Sequence, residues 1–375
     1  MLELQRPGSA PMDTQRWFDG LLRLLSGTSA KQRETVAKMV AAVILAGTLT
    51  VTALARSAAI AFRQRPRTLH KSFDRMLSSE SFDPMSVYRA VLLDVIGQRR
   101  RVPIAIDWLS LRNDTIRVLL AAVIDEDGRG WPVLALAIPT RQRKKRQREI
   151  ELKMLEAIRR IVPSERAVIV LADRGFDGAG FRHDVRQQKF DYVIRVRGNL
   201  QAHYQGRKYT TRQLACGRRD GTIRRDGVQL TAKKDPIGAF VSCWDEKSKG
   251  PWLLISDLAD NTDEIIRLYA MRFRIEESIR DIKNIRLGLG LEETRIVNVR
   301  RWSVLLAVTI VSYLVIRHCG TIARARGLAR DFSTSGRRPN AHSTFSLGIF
   351  HANASPDILR EALENLGVQE FARAA

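Results

Sequence analysis

The chain has 375 residues, a length that predicts two or three domains and excludes a single small module. It carries 63 Lys and Arg against 40 Asp and Glu, for a formal net charge of +23, and 45% of its residues are hydrophobic. The hydrophobic fraction excludes wholesale disorder, and the excess of positive charge favours a polyanionic partner, nucleic acid before a membrane surface.

The first residues and the cysteines bear on the cellular compartment. The segment MLELQRPGSA lacks the charged region and apolar run of a secretory signal, so we expect a cytoplasmic protein. Cys216, Cys243 and Cys319 have no C-x-x-C spacing and indicate neither a disulfide framework nor a cysteine zinc site. Two apolar stretches, Met39 to Ala55 and Trp302 to Ile316, fall short of the roughly 20 residues of a membrane span and predict buried helices.

Residues 1–100 are predicted to form a helical N-terminal domain. Ala-, Leu- and Val-rich periodicity runs from Thr35 to about Gly97 without the alternation of strands, and a turn cluster at Ser78 to Pro84 interrupts it. Between its helices lies a basic stretch that fits either a phosphate-binding surface or a solvated helix face. That stretch consists of Arg63, Arg65, Arg67, Lys71 and Arg75.

Beyond residue 100 the pattern changes to short β-rich runs separated by helices. The predicted elements are strands at 102–108, 115–124 and 132–138, a helix at 148–161, a strand at 167–171, a helix at 180–187 and a strand at 192–196. This order is expected of an α/β fold with an RNase H-like core, a mixed sheet covered by helices. We expect the core at 101–198 and 257–320, an all-β insertion at 199–256, and a C-terminal tail at 321–375 with one helix.

Two aspartates end apolar strands of the predicted core. Asp107 closes the run VPIAID and Asp173 closes AVIVLAD, so their carboxylates lie close together if the first and fourth strands are neighbours. Taken singly, each aspartate is more typical of a turn former or a helix N-cap. As a pair, they indicate a candidate site more strongly than either does alone.

A third carboxylate lies on a helix predicted from Asp263 to Asn284. Four polar residues of this helix form one stripe, because at about 100° per residue they fall within about 60° of arc. They are Tyr269, Arg272, Glu276 and Lys283. An apolar stripe about a quarter turn away faces the core, which places the glutamate to meet the two aspartates. A helix decorated by i,i+4 ion pairs is the alternative.

Three converging carboxylates repel one another, and divalent cations relieve that repulsion. Mg²⁺ prefers hard oxygen ligands, so we predict that Asp107, Asp173 and Glu276 hold two Mg²⁺ ions, with Mn²⁺ able to substitute. Two such ions about 4 Å apart activate a water or a 3′-hydroxyl on one side of a phosphodiester and stabilise the departing oxygen on the other.

The spacing Tyr-x2-Arg-x3-Glu-x6-Lys in YAMRFRIEESIRDIK, with the two strand-end aspartates, resembles the signature of bacterial insertion-sequence transposases. The family concerned, insertion sequence family four, has a DDE site and a β-strand insertion. The resemblance covers about Ile104 to Asn284, with a looser match of the helical N-terminus to the family's end-binding domain. It implies a catalytic and metal-binding triad formed by Asp107, Asp173 and Glu276. It also implies a phosphate-binding set formed by Tyr269, Arg272 and Lys283.

The resemblance extends to the insertion. In the family, a tryptophan of the β-strand insertion stacks on a base that is flipped out when the DNA end forms a hairpin. Trp252 in PWLLIS stands at a similar distance before the signature helix, and Trp244 is a second candidate. An aromatic face replaces about 1 to 3 kcal/mol of the stacking that a flipped base loses. A core position is the alternative for Trp252.

A run with six basic residues in eight precedes the helix between the third and fourth strands. It fits a loop that contacts DNA phosphates, and a solvated charge run is the alternative. The predicted DNA contacts in this run are Arg141, Arg143, Lys144, Lys145 and Arg146.

These expectations describe a Mg²⁺-dependent DNA transposase of an insertion sequence. It would cleave phosphodiesters at the ends of its element, through a hairpin intermediate, and join 3′ ends to target DNA. Its partners would be duplex DNA and, as the resemblance implies, a second copy in a homodimer, at the nucleoid of a bacterial cytoplasm with no membrane partner. The alternatives are a catalytically inactive DNA-binding regulator and an RNase H-like nuclease without strand transfer.

Overall fold

The computed structural model describes residues 14–25, 27–112, 114–215, 217, 219–244, 250–286, 288–330 and 342–366. The chain divides into two compact units. The first comprises Met1–Asp94, Lys283–Ile296 and Ala307–Ala375, and the second comprises Val95–Ile282 and Val297–Leu306. The first unit therefore includes parts of residues 257–320, all of which were predicted to belong to the core.

The first unit is built from helices in its described residues. They are α1 Thr14–Leu24, α2 Ala30–Ala46, α3 Val51–Ala61, α4 Pro66–Leu77, α5 Pro84–Ile96, α10 Val299–Ala325, α11 Thr344–Ala354 and α12 Pro356–Glu364, of which α5 and α10 extend into the second unit. Pro66 opens α4 and Pro84 opens α5, where a missing backbone N–H breaks no internal hydrogen bond. The buried faces of α2, α3 and α4 pack against one another.

The apolar stretch Met39 to Ala55 forms parts of two helices. Gly47 caps α2 with a φ of 60°, in the left-handed region that favours glycine. The following helix, α3, is turned by 97° relative to α2. The stretch is therefore a bent pair of helices, with buried residues such as Val40, Val43 and Leu54.

The second apolar stretch, Trp302 to Ile316, lies within α10. This helix has 27 residues and is long and apolar enough to cross a membrane, but 83% of its most apolar window is buried inside the protein. In the first unit it approaches α11 so closely that a Cβ on Gly348 would lie 1.8 Å from the carbonyl oxygen of Ile316. Such close backbone packing is typical of the core helix of a globular protein.

A mixed sheet with covering helices begins the second unit. Its first elements are β1 Arg101–Leu111, β2 Ile116–Ile124, β3 Gly130–Pro139, α6 Arg143–Ile161, β4 Ala167–Ala172, α7 Ala179–Gln187 and β5 Asp191–Arg195. The strand order is β3-β2-β1-β4-β5. β1 pairs antiparallel with β2 and parallel with β4, and β4 pairs parallel with β5. This mixed α/β arrangement is consistent with the predicted RNase H-like core.

The segment predicted as an insertion contains, in its described residues, seven strands, which belong to two different sheets. They are β6 Gln201–Tyr204, β7 Arg207–Thr210, β8 Thr222–Asp226, β9 Gln229–Leu230, β10 Asp235–Pro236, β11 Ala239–Cys243 and β12 Trp252–Ser256. β12, β11 and β8 continue the large sheet beyond β5, and the others form a four-stranded sheet in the order β10-β9-β6-β7. Arg186 of α7 forms ion pairs with Asp235 of β10, within this segment, and with Asp257, which follows it.

The helix predicted from Asp263 to Asn284 is divided in two. α8 spans Thr262–Arg272 and α9 spans Arg274–Lys283, with the break at Phe273. The sequence contains no glycine or proline here, so tertiary contacts fix the break. The hydroxyl of Ser278 donates a buried hydrogen bond to the carbonyl of Gly130 at 2.9 Å, which holds α9 against the start of β3.

Candidate active site

β1 and β4 bring the two aspartates to equivalent positions of neighbouring strands. Their parallel pairing runs to Ala105 opposite Leu171, and Asp107 and Asp173 each follow two residues further on. Because neighbouring strands lie about 4.8 Å apart, the backbones direct both residues to one edge of the β1–β4 pairing. β1 itself continues to Leu111 beside β2, so Asp107 lies within the strand and not at its predicted end.

Asp173 also has a local structural role. It precedes a short 3₁₀ turn, Arg174–Phe176, and its Oδ1 accepts a hydrogen bond from the backbone N–H of Gly175 at 2.8 Å. This is the capping role that an aspartate after a strand often takes. The cap fixes the orientation of the carboxylate at the edge where Asp107 lies.

Arg272 connects Asp107 to Glu276. This arginine, at the end of α8, is 4% exposed as a whole residue. Its Nη2 donates to Oε1 of Glu276 at 2.5 Å, and its Nη1 lies 3.6 Å from Oδ2 of Asp107. Within the described part of the chain, its buried Nε and Nη1 have no hydrogen-bond partner. Arg272 therefore places a positive charge between two of the predicted carboxylates and keeps unused donors there.

The pKa of Asp107 depends on the charged side chains around it. It is raised from 3.8 to about 6 in total: burial is the largest cause, the positive charge of Arg272 acts in the opposite direction, and the negative charges of Asp173 and Glu276 add to the rise. The three predicted carboxylates are therefore near enough to influence one another. A cation that binds beside Asp107 would favour its ionised form.

The carboxylates fit a divalent cation in their chemistry. All three offer hard oxygen ligands, and the mutual repulsion that acts on Asp107 is what a bound cation relieves. Over the described ranges, however, no three His, Cys, Asp or Glu side chains form a group that could hold a metal ion. In this structure Arg272, and not a closed set of carboxylate ligands, fills the space between Asp107 and Glu276.

An aromatic cluster lies next to Arg272. Trp252, the first residue of β12, is half-buried, with its ring centroid 5.1 Å from that of Tyr269 and 5.9 Å from that of Phe273. The guanidinium of Arg272 lies 4.7 Å from the ring of Phe273, a cation–π distance. Trp244 follows β11, where its backbone pairs with that of Gly221.

Tyr269 was predicted to contact phosphates but has no exposed surface. Its ring fills the space beside Trp252 and Phe273, and burial raises the pKa of its hydroxyl. The helical stripe suggested by the spacing is therefore only partly accessible. Tyr269 supports the site from inside, whereas Glu276 is exposed on the surface.

The basic run is not a loop. α6 begins at Arg143, five residues before the predicted start at 148, because Arg, Lys and Gln favour helix. The guanidinium of Arg143 lies 5.6 Å from the ring centroid of Trp108, the residue after Asp107, so the run begins close to the candidate site. Of the five predicted contacts, Arg141, Lys144 and Lys145 are exposed, and Arg146 pairs with Glu149 at 2.8 Å.

Lys283, the last residue of α9, belongs to the first unit and pairs with Glu292 at 2.6 Å.

Two residues of the site escaped the sequence analysis. Phe273 is a 37% exposed aromatic that directly follows Arg272, and Trp108 donates a hydrogen bond from Nε1 to Glu151 at 3.0 Å. An aromatic residue directly after a predicted functional residue was the available signal for both.

Comparisons with known proteins bear on this site. The family model described as a transposase DDE domain matches residues 118–311, just over half of the chain, and this range includes Asp173, Arg272 and Glu276. No curated protein matches the chain significantly.

The crystal structure of Marinitoga piezophila Argonaute in complex with 5′ OH guide RNA is similar over 56% of this chain and 31% of that one. Its sequence identity is 11% and its TM-score is 0.21, a similarity too low to bear on fold or function. The family match begins at Val118 within β2, after β1 and Asp107, and covers β3, β4, β5 and the helices that carry Arg272 and Glu276. The chain therefore belongs to the transposase family defined by this DDE domain.

Proposed function

We propose that this transposase mobilises an insertion sequence of the Tyr-Arg-Glu-Lys type, insertion sequence family four, by cutting phosphodiesters at the ends of its element and joining 3′ ends to target DNA. The observation that supports this most is the register of β1 and β4, which sets Asp107 and Asp173 at equivalent positions within the electrostatic reach of Glu276. Site chemistry and family agree, because the family is that of DDE transposases.

Asp107, Asp173 and Glu276 are the residues that would hold two Mg²⁺ ions, or Mn²⁺ in their place. When bound, such ions supply an activated water or 3′-hydroxyl and stabilise the departing oxygen. Arg272 contacts two of these carboxylates, so it holds them in position and offsets their repulsion before DNA binds.

Arg272 and Lys283 neutralise the phosphates of the terminal nucleotides. Two buried nitrogens of Arg272 have no hydrogen-bond partner among the residues that the structure describes, and a phosphate oxygen satisfies such donors well. Tyr269 is buried, so it orients Arg272 and Trp252 from inside the protein and does not reach DNA itself.

The half-buried Trp252 and the exposed Phe273 provide the aromatic surface for a base that is flipped out during hairpin formation. Their ring centroids lie 5.9 Å apart and their planes are inclined by 32°. The exposed cations Arg141, Lys144 and Lys145, together with Arg143 beside Trp108, extend positive charge from the site along the DNA backbone. The protein acts in the bacterial cytoplasm at the nucleoid, as a homodimer that holds two DNA ends.

Cleavage of defined ends tests the proposal. The purified chain is incubated with a linear duplex that carries the inverted repeats flanking its coding region, in Mg²⁺ or in EDTA, together with a supercoiled target plasmid. We expect nicking at the repeat boundary, hairpin-ended product and joined target in Mg²⁺ alone. Binding without cleavage in Mg²⁺ or Mn²⁺ would instead identify an inactive regulator, and equal cleavage of duplexes without repeats would identify a simple nuclease.

A further inference from the structure

The loop that follows β4 carries Asp173 and packs against the second unit. It has the sequence DRGFD, from Asp173 to Asp177, and lies between β4 and α7. Phe176 of this loop is 2% exposed, and its ring centroid lies 5.2 Å from that of Phe181 in α7. The hydrogen bond from Gly175 to Asp173 closes a turn inside the loop itself. That bond moves with the loop, so the orientation of the Asp173 carboxylate depends on how the whole loop is anchored.

Asp177, the last residue of the loop, is bound to the end of β5 through its side chain. The residue is 3% exposed, and its carboxylate accepts three hydrogen bonds from Arg197. Oδ2 accepts from the backbone N–H at 3.1 Å and from Nε at 2.7 Å, and Oδ1 accepts from Nη2 at 2.7 Å. Because a carboxylate held by both arms of a guanidinium has one preferred orientation, this contact fixes the position of the loop as well as its charge.

The backbone of Asp177 is bound by a second arginine. Its carbonyl oxygen accepts a hydrogen bond from Nη1 of Arg182, in α7, at 2.6 Å. Arg182 is completely buried, and its Nε donates to Oδ2 of Asp235, in β10, at 3.0 Å. A buried guanidinium needs such partners for its donors, so Arg182 has little freedom to move away. Asp177 is therefore held on its carboxylate from β5 and on its carbonyl from α7.

We propose that Asp177 is a positioning residue for the reaction: by anchoring the loop to Arg197 and Arg182, it holds Asp173, four residues earlier, in the orientation that a metal ligand needs. The inference rests on the proposed function, because it takes Asp173 as a ligand. Asp177 itself is committed to the two arginines and does not contact the metal. Residues that orient metal ligands typically change metal affinity about 10- to 100-fold when they are replaced, although the ligands themselves remain.

Hydrogen–deuterium exchange of the metal-free full chain tests the anchor. Asp177→Asn removes one charge and little volume, and should make the backbone N–H groups of residues 173–177 exchange at least about tenfold faster. Asp184→Asn is the matched control. Asp184 is 6% exposed and also accepts two hydrogen bonds from one guanidinium, that of Arg148, but it lies in α7 outside the loop. In this control, exchange of the loop should stay within about twofold of the wild type.

Binding of Mn²⁺ tests the consequence for the ligand. The Mn²⁺ concentration for half-maximal binding to the chain on repeat duplex is measured by electron paramagnetic resonance. It should rise at least about tenfold in Asp177→Asn and stay within about twofold in Asp184→Asn. Arg197→Gln keeps the backbone hydrogen bond to Asp177 and should show both effects to a smaller degree. This second variant decides the test if Asp177→Asn does not fold.

Two results would overturn the role of Asp177: loop exchange or a Mn²⁺ midpoint that stays at the wild-type value in the folded variants, or equal changes in the Asp184→Asn control. Equal changes would show a general loss of stability, which melting temperatures measure separately. Asp173→Asn distinguishes this failure from that of the proposed function. If Asp173→Asn leaves both Mn²⁺ binding and cleavage unchanged, Asp173 is not a ligand and the proposed function is contradicted. If it abolishes both while Asp177→Asn changes neither, only the positioning role is wrong.

Discussion

The two units use charge in opposite ways. In the second unit, the almost fully buried Arg272 contacts Asp107, whose pKa is displaced to about 6, so these charges have lost much of their water. In the first unit, Arg67 and Lys71 are exposed and keep theirs. Under the proposed function, the chemistry uses desolvated charges and the binding of DNA uses hydrated ones. A desolvated carboxylate responds strongly to an arriving cation, whereas a hydrated lysine binds DNA reversibly and in a salt-dependent way.

The largest expected effect comes from Glu276→Gln, which removes one charge and little volume from the carboxylate site. Cleavage should fall about a thousandfold, because a ligand of the metal is lost. Binding of the repeat duplex should remain, since Glu276 is proposed to hold metal and not DNA. Glu277→Gln, one residue further along α9, is the matched control and should cleave normally. Retained cleavage by Glu276→Gln, measured by gel analysis of labelled ends, would reject the assignment.

Arg272→Gln should change the pH dependence of cleavage. Arg272 lowers the pKa of Asp107, so its removal should move that pKa above about 6. Because only the ionised carboxylate binds a metal, the acidic limb of the pH–rate profile should shift to higher pH, with a rate loss of about a hundredfold from lost phosphate contacts. Arg274→Gln, two residues away, should leave the profile in place. An unshifted acidic limb in Arg272→Gln would contradict a direct electrostatic effect of this arginine on Asp107.

Trp252→Ala should separate two steps of the reaction. Loss of a stacking surface should slow hairpin formation about tenfold and affect the first nick less. Quantifying nicked and hairpin products over time measures both steps, and Trp252→Phe should recover most of the hairpin. Equal slowing of both steps would show that the tryptophan serves only as core.

The smallest effect concerns stability. Asp107→Asn should stabilise the metal-free protein at pH 8 by on the order of 2 kcal/mol, because ionised Asp107 is disfavoured in the folded state. Below the unfolded pKa of 3.8 the residue is neutral in both states, so the gain should be absent there and grow as pH rises to about 6. Thermal melting across this range measures it, and Arg67→Ala should show no such trend. A gain that is independent of pH would show that ionisation of the buried carboxylate is not its cause.

The backbone of the site was predictable because strand periodicity carries it. An apolar run that ends in aspartate locates Asp107 and Asp173, and their proximity depended on the first and fourth strands being neighbours, which the parallel pairing of β1 with β4 provides. The spacing of the signature residues likewise located Arg272 and Glu276 close together on the chain.

The contacts between side chains were not predictable, because they depend on tertiary packing. No breaker residue marks the helix break at Phe273, and the bridge from Asp107 to Glu276 through Arg272 depends on rotamers. Tyr269 shares a stripe with exposed residues, but aromatic packing on Trp252 buries it. The charges at the start of α6 suggested a loop, although their helix propensity already favoured a helix.

The position of bound metal is the most direct test of a carboxylate-held metal site. Crystals of the protein with repeat DNA, grown in Mn²⁺, give anomalous scattering peaks that locate the ions without assumption. We expect peaks within about 2 Å of carboxylate oxygens of Asp107, Asp173 and Glu276, with Arg272 turned from Glu276 towards a phosphate. Peaks elsewhere, or carboxylates that remain paired with Arg272 while the DNA is cut, would contradict such a site.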